Sequence, residues 1–99
     1  MITNTNEAKL QLEEKMKKLN DDADSPYKLE SVAISEEKEI DGHKLWRYSF
    51  KGQPIPRTKY DQWLRDDGQE FFIFQCFEHT IEQVVRGEVS GPSHSIKDH

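Results

Sequence analysis

The clearest candidate for chemistry in this chain is the pair formed by Cys76 and His79, which are three residues apart. On a helix this spacing would place a thiol and a base on one face. However, Cys76 stands in residues 71–77, the densest apolar run of the sequence, and a buried cysteine without a cationic neighbour is unreactive. We therefore interpret Cys76 as a core residue that reacts slowly with thiol reagents. It is the only cysteine, which excludes an intramolecular disulfide.

The sequence does not predict a metal site, because the candidate ligands are poorly spaced. The four histidines are His43, His79, His94 and His99. None of them pairs with another histidine or with Cys76 at a spacing typical of zinc sites. An acidic cluster beginning at Asp21 resembles part of a calcium loop, but its sixth and twelfth positions hold Pro26 and Val32, where such a loop needs Gly and Glu. We predict no metal, no cofactor and no catalytic residue.

The remaining constellation combines aromatic rings with basic side chains in residues 44–65. Interleaved rings and cations can stack nucleotide bases and hold phosphates, or they can anchor a protein partner. The same rings, including Trp46 and Trp63, are also the large apolar groups that a small domain needs for its core. The predicted binding residues are Arg47, Lys51, Arg57, Lys59 and Arg65.

Charge is unevenly distributed along the chain, whose formal net charge is −5. Residues 1–43 carry a net charge of −5, residues 44–68 of +3 and residues 69–99 of −3. We expect the whole molecule to be repelled from nucleic acid and from anionic membranes at long range. The acidic N-terminal part suits a basic protein surface, since complementary charge accelerates encounter. Residues 36–39, three glutamates and a lysine, are expected at the exposed end of a strand, where charge opposes edge pairing.

The composition predicts a single domain with a modest core. The chain has 99 residues, of which 33% are hydrophobic and 33% are charged, so much of it must be solvated. We expect one domain over residues 1–89 and a flexible tail over residues 90–99, which are rich in Gly, Pro, Ser and His. The first residues lack the basic start and apolar block of a signal peptide, and no apolar run is long enough to span a bilayer. We therefore expect a soluble, cytoplasmic protein.

The N-terminal part of the chain has a helical pattern. Apolar residues at positions 8, 12, 16 and 19 fall on one helical face. This spacing predicts a helix over residues 6–20, with Thr5 or Asn6 as its cap. Pro26 and the short acidic side chains before it predict a loop after the helix.

A β-hairpin is expected next. Residues 27–38 and residues 45–51 have strand-like patterns, and Asp41-Gly42 between them is a strong signal for a two-residue turn. The apolar positions of the first strand change parity near Ser31, which predicts a β-bulge that inserts one residue.

Residues 58–66 are predicted to form a short connecting helix. Thr58 and Asp61 have the spacing of a capping box. Apolar residues at positions 60, 63 and 64 would form the buried face of this helix. Gly68 suits the left-handed position that often follows a helix end.

The apolar run that contains Phe74 has two interpretations. As a strand over residues 70–77 it is apolar on both faces, as expected for a central strand that is covered on both sides. As part of one long helix over residues 70–86, it would align several apolar residues on a helical face. We favour the strand, because aromatic and β-branched residues are common in strands and a hairpin alone is marginally stable. A helix over residues 78–86, closed by Gly87, would follow, and Phe74 would lie near the centre of the core.

These elements predict a small α+β domain in which a three-stranded, mainly antiparallel sheet carries N-terminal and C-terminal helices and a short connecting helix. The favoured function is non-catalytic protein binding, as in an adaptor, an inhibitor or an immunity-type protein. A homodimer through an exposed strand edge is an alternative assembly. Two other classes stay open: nucleic-acid binding through residues 44–65, and a small ligand-binding or enzymatic domain with Tyr60, Glu78 and His79 as candidates.

Overall fold

The chain folds into an α+β domain built on an antiparallel sheet. The computed structural model describes residues 1–24, 26, 28–53, 60–75, 78–89 and 94–96. In chain order the elements are α1 (Thr5–Asp21), β1 (Lys28–Ile40), β2 (His43–Gln53), β3 (Tyr60–Arg65), β4 (Glu70–Phe74), α2 (Ile81–Val85) and β5 (His94–Ile96). The strands lie in sequential order from β1 to β5, and each pairs antiparallel with the next. The α+β prediction is confirmed, although the sheet has four strands and the short β5 where three were expected.

The N-terminal helix α1 forms where its apolar spacing predicts it. Ala8 and Leu12 are buried on the expected face. The cap is Asn4, not Thr5 or Asn6: its side-chain oxygen accepts a hydrogen bond of 2.9 Å from the Glu7 backbone. The Glu7 carboxylate in turn accepts bonds from the Thr3 hydroxyl and backbone, which hold the pKa of Glu7 below its usual value. The bond to Asn4 satisfies the free backbone N–H of Glu7 at the start of the helix, and the Glu7 carboxylate holds the preceding residue Thr3.

The β1–β2 hairpin confirms both the turn and the bulge. Asp41 and Gly42 have φ angles of 52° and 84°, as a two-residue turn with two left-handed positions requires. The register shifts between Leu29 and Ser31, as predicted, and again between Ile34 and Glu36. Each bulge leaves an extra residue on β1 and strengthens the local twist of this strand.

The predicted connecting helix over residues 58–66 is wrong. Residues 60–65 instead form strand β3, which pairs with β2 on one side and with β4 on the other. Trp63 and Leu64 are both buried because both faces of this strand are covered. Their side chains point in opposite directions from the sheet, so the spacing that resembled a helical face is the pattern of an interior strand. Residues 58 and 59 lie outside the described part of the chain.

Residues 70–86 form a strand followed by a helix, which decides between the two interpretations of this segment. Strand β4 covers residues 70–74, shorter than the predicted 70–77, and Cys76 lies outside the described residues. The predicted helix start at position 78 is wrong because Glu78 has a φ angle of 55°, and α2 begins only after Thr80. Thr80 caps this helix in a reciprocal capping box with Gln83, and Gly87 follows its end at a φ angle of 69°.

The C-terminal segment contains one described element. The sequence predicted a flexible tail over residues 90–99. Within this segment, His94–Ile96 forms β5 and pairs with residues 70–72 of β4. The other residues of the segment lie outside the described part of the chain.

Two clusters of buried side chains occupy opposite faces of the sheet. The cluster beneath α1 contains Ile2, Ala8, Leu12, Val32, Trp46, Tyr48 and Leu64. The cluster beneath α2 contains Ile40, Leu45, Trp63, Phe71, Ile73, Ile81 and Val84. Neighbouring residues of a strand point to opposite faces, which is why Leu45 and Trp46 belong to different clusters.

The buried ring of β4 is Phe71, and the expectation that Phe74 lies at the centre of the core is wrong. Phe71 is 1% exposed and Ile73 is 3% exposed, and both pack in the cluster beneath α2. Phe72 and Phe74 are only half-buried. The apolar run therefore contributes to both faces of the sheet, as predicted for an interior strand, but its α2 face is covered more completely.

Candidate functional site

The described arginines of the predicted binding segment are engaged within the chain. Arg47 donates a hydrogen bond of 2.6 Å to Asp61, which also accepts from Gln75 at 3.1 Å. Arg65 donates one hydrogen bond to each carboxylate oxygen of Asp67, at 3.0 and 2.7 Å. This contact holds the pKa of the Asp67 carboxyl below its usual value of 3.8. Each guanidinium is thus neutralised by a carboxylate, and a phosphate would have to displace that partner.

The other predicted binding residues give no further support for a basic surface. Lys51 is exposed on β2, whereas Arg57 and Lys59 lie outside the described residues. Two of the rings that could have stacked on bases are core residues, since Trp46 is fully buried and Tyr48 is 2% exposed. Both rings pack beneath α1, on the face opposite the Arg47 side chain. The interpretation of these rings as core is therefore confirmed.

A shallow polar depression lies around the Arg47–Asp61 pair. It has a volume of about 330 Å³, and its lining includes Ser35, Ser49 and Gln75 together with the ion pair. The depression is open to solvent because α2 does not cover it. This helix contacts β4 and β5, and the polar residues around Arg47 lie outside the buried cluster beneath α2. Its charged groups bind one another, which leaves small hydroxyl and amide groups as its surface.

A second network lies between α1 and the sheet. Glu70, whose side chain is 13% exposed, accepts hydrogen bonds from the Lys15 ammonium and from the Tyr48 hydroxyl. A polar cavity of about 220 Å³ adjoins this network and is lined in part by Gln11 and Lys18. Among the described residues, no buried side-chain nitrogen or oxygen lacks a hydrogen-bond partner. The network therefore stabilises the contact of α1 with strands β2 and β4 without an unsatisfied group that would require a ligand.

Of the four histidines, the structure describes the side chains of His43 and His79. His43 Nδ1 lies 2.8 Å from Asp66, a buried carboxylate that also accepts from the Lys44 backbone at 3.0 Å. The Asp66 backbone oxygen accepts a hydrogen bond from the Ile2 backbone at 2.8 Å. Asp66 therefore connects the N-terminal residues to the β1–β2 hairpin. His79 is half-buried between β4 and α2. The part of the chain that the structure describes contains no group of three or more metal-ligating side chains.

The proposed enzymatic residues do not surround either depression. Glu78 is exposed and His79 is half-buried, and neither lines the cavity next to Glu70 or the depression around Arg47. Tyr60 begins β3, one strand away from β2. The backbone of Tyr60 pairs with Phe74 of β4, and its side chain lies outside the described part of the structure.

An exposed region with an excess of acidic residues comprises α1, the loop that follows it and the edge strand β1, where exposed lysines also occur at positions 9, 17, 18 and 28. We call it the acidic side, and its exposed carboxylates are Glu14, Asp21, Asp22, Asp24, Glu30, Glu37 and Glu39. None of these carboxylates forms an ion pair with a described residue. Leu10 on α1 is 62% exposed and adds an apolar group to this surface. The sequence had predicted an exposed charged strand end at residues 36–39, and Glu37 and Glu39 confirm it.

Comparisons with protein-family models, with curated proteins and with solved structures found no match to this chain. No helix within the described residues has the length and the apolar character needed to cross a membrane.

Proposed function

We propose that this chain is a protein-binding domain, comparable in role to an adaptor, an inhibitor or an immunity-type protein, and that its acidic side binds a basic surface of its partner. The observation that carries this proposal is a contrast in charge pairing. Arg47 and Arg65 bind carboxylates of the same chain, whereas the exposed carboxylates of the acidic side have no such partners among the described residues. Unpaired surface charge is available to steer and orient a partner of opposite sign.

The exposed Leu10 supports protein over small ions as the partner. Protein interfaces combine an apolar centre with a charged rim, and Leu10 projects from α1 among acidic and basic helix residues. The chain carries both ingredients: an exposed aliphatic group on α1 and exposed carboxylates at Glu14 of α1 and along β1.

A pair of charge-reversed variants tests the proposal. Glu37→Lys with Glu39→Lys reverses charge on the acidic side, and Glu78→Lys with Glu88→Lys makes the same change at exposed positions near α2. Each variant and the wild type is used to capture proteins from the native cell. The bound proteins are identified by mass spectrometry, and each purified partner is then bound to all three forms.

The expected result is a basic partner that binds the wild type and the α2-side control equally and binds the acidic-side variant at least about tenfold more weakly, as for loss of a well-placed charged contact. Equal binding to all three forms would refute the acidic side as the interface. Binding of an oligonucleotide at low salt, lost when Lys51 is changed to Ala, would instead favour the nucleic-acid alternative.

A further inference from the structure

Among the strands that the structure describes, β1 forms the long edge of the sheet, and its outer side pairs with none of them. This strand has 13 residues and pairs with β2 alone, because the strand order places it at one end. The opposite end is formed by the three-residue strand β5. An edge strand presents backbone N–H and C=O groups that another strand can bind.

Side-chain hydrogen bonds hold the start of β1 and the turn that follows it, but they do not involve the backbone of residues 31–40. The Asn20 side-chain amide accepts from the Leu29 backbone N–H at 2.8 Å and donates to its C=O at 2.9 Å. At the other end, Arg86 donates to the Asp41 carboxylate, at 3.1 and 3.2 Å. Between residues 31 and 40, no backbone group of β1 bonds to a described residue outside β2.

The charges along this edge select the kind of strand that can add to it. Glu37 and Glu39 are exposed and two residues apart, so their side chains share a face. Lys38 points to the other face, where it binds Glu82 at 3.2 Å. A second copy of β1 would bring acidic side chains against acidic side chains, which is unfavourable across strands. A segment with basic residues at alternate positions would place its cations opposite both glutamates.

We propose that β1 binds its partner by strand addition, and that the occupant is an extended partner segment with Lys or Arg at alternate positions, paired along residues 36–40. This inference rests on the proposed function and adds the mode of binding. The backbone bonds supply affinity, and the alternate cations supply selectivity, as in other cases of recognition at a sheet edge. The register of β1 is regular over residues 36–40, beyond the second bulge, which gives a straight ladder for the added strand.

Synthetic peptides test the backbone contribution separately from charge. The probe is an acetylated and amidated heptapeptide of alternating Thr and Lys with three lysines, labelled for fluorescence anisotropy. Two isomers carry three N-methyl groups each, either on the three lysines or on the last three threonines. In an extended strand these two sets of N–H groups point to opposite edges, while the charge of the peptide is unchanged.

Strand addition predicts that the unmethylated peptide binds the wild type, and that the two isomers differ in affinity by at least about tenfold because one of them lacks the bonding edge. It also predicts that Glu37→Lys with Glu39→Lys abolishes binding, whereas the Glu78→Lys, Glu88→Lys control binds normally. Absence of binding at low salt, or equal affinity of both isomers, would overturn strand addition. The cell-capture experiment would still decide the proposed function by itself.

Sedimentation of the chain alone tests whether a second copy of the chain binds at the β1 edge. We expect a monomer, because the acidic edges of two copies repel. A dimer that dissociates on Glu37→Lys with Glu39→Lys at low protein concentration would assign the edge to a second copy and overturn the proposal.

Discussion

Gly52 is the residue at which a single added methyl group should disturb β1 most strongly. It lies near the end of β2 at a φ angle of 154°, opposite Leu29 in the hairpin register. A Cβ at this position would sit 2.4 Å from the Lys28 carbonyl oxygen and 2.6 Å from the Leu29 Cα. Both atoms belong to the backbone, so no side-chain rotation can relieve the contact.

The expected cost of Gly52→Ala combines backbone strain and overpacking. A residue with a side chain in a sparsely populated backbone region costs about 1–3 kcal/mol, and forcing atoms into a filled space costs about 1–3 kcal/mol more. The sum is a large share of the stability of about 5–15 kcal/mol that is usual for a domain. If the first residues of β1 moved away from β2, the loss of stability would be smaller. That movement would break the hydrogen bonds between Asn20 and Leu29.

Urea unfolding followed by tryptophan fluorescence measures this effect, with Gly87→Ala as the matched control. Gly87 also has a positive φ, of 69°, but a Cβ there would meet no atom within 4 Å. The free energy of unfolding of the control should therefore fall by only about 1–2 kcal/mol, the cost of a side chain at a left-handed backbone position. If Gly52→Ala lowers the free energy of unfolding no more than Gly87→Ala does, the close approach of β1 and β2 at this position is wrong.

Three further changes test the packing, the charge pairing and the capping of the fold. Phe71→Ala should lower the free energy of unfolding by about 3–5 kcal/mol, and Phe74→Ala by less, because Phe71 is 1% exposed and Phe74 is half-buried; equal losses in urea unfolding would contradict the assignment of faces in β4. The hydrogen bond from Arg65 depresses the pKa of Asp67, so the stability that this carboxylate adds is present above its usual value of 3.8 and is lost as the pH falls through the depressed value. The stability difference between wild type and Asp67→Asn, measured by urea unfolding from pH 7 to pH 2, should therefore shrink in acid, and a difference that grows in acid would contradict the pairing. Thr80→Ala should cost about 1 kcal/mol through loss of the helix cap, and an unchanged unfolding midpoint would argue against the capping box.

Local sequence signals were enough to predict α1 and the hairpin. The period of Ala8 and Leu12 specifies a buried helical face, and Asp41-Gly42 specifies a tight turn, because each signal depends on residues close in the chain. The bulge near Ser31 was also visible, since an inserted residue is what shifts the apolar positions of one strand from one parity to the other.

Strand β3 could not be identified from its own residues. Trp63 and Leu64 are adjacent and both buried, a pattern that suits one face of a helix as well as two faces of a strand. The difference is decided by β2 and β4, which pair with this segment, and by helices on both sides of the sheet. Tertiary pairing therefore overrode a local pattern that resembled a capped helix.

The sequence predicted where the charges of the candidate binding region lie along the chain, but not how they pair. The distribution of charge along the chain revealed both the basic segment and the acidic strand end, but it could not show that Arg47 faces Asp61 or that Arg65 folds back on Asp67. Arg65 and Asp67 are two residues apart, and a turn signal at Gly68 was the available hint. The Arg47–Asp61 contact joins residues on different strands and follows from a strand pairing that the sequence did not reveal.

Hydrogen exchange of the wild-type chain, alone and with its captured partner, tests most directly whether β1 is the binding edge. We predict slower exchange on binding in the backbone amides of residues 36–40, at the outer edge of β1, with little change around Arg47 and Asp61. Protection confined to the surroundings of Arg47 and Asp61, with β1 unchanged, would contradict this prediction and move the interface to the basic segment.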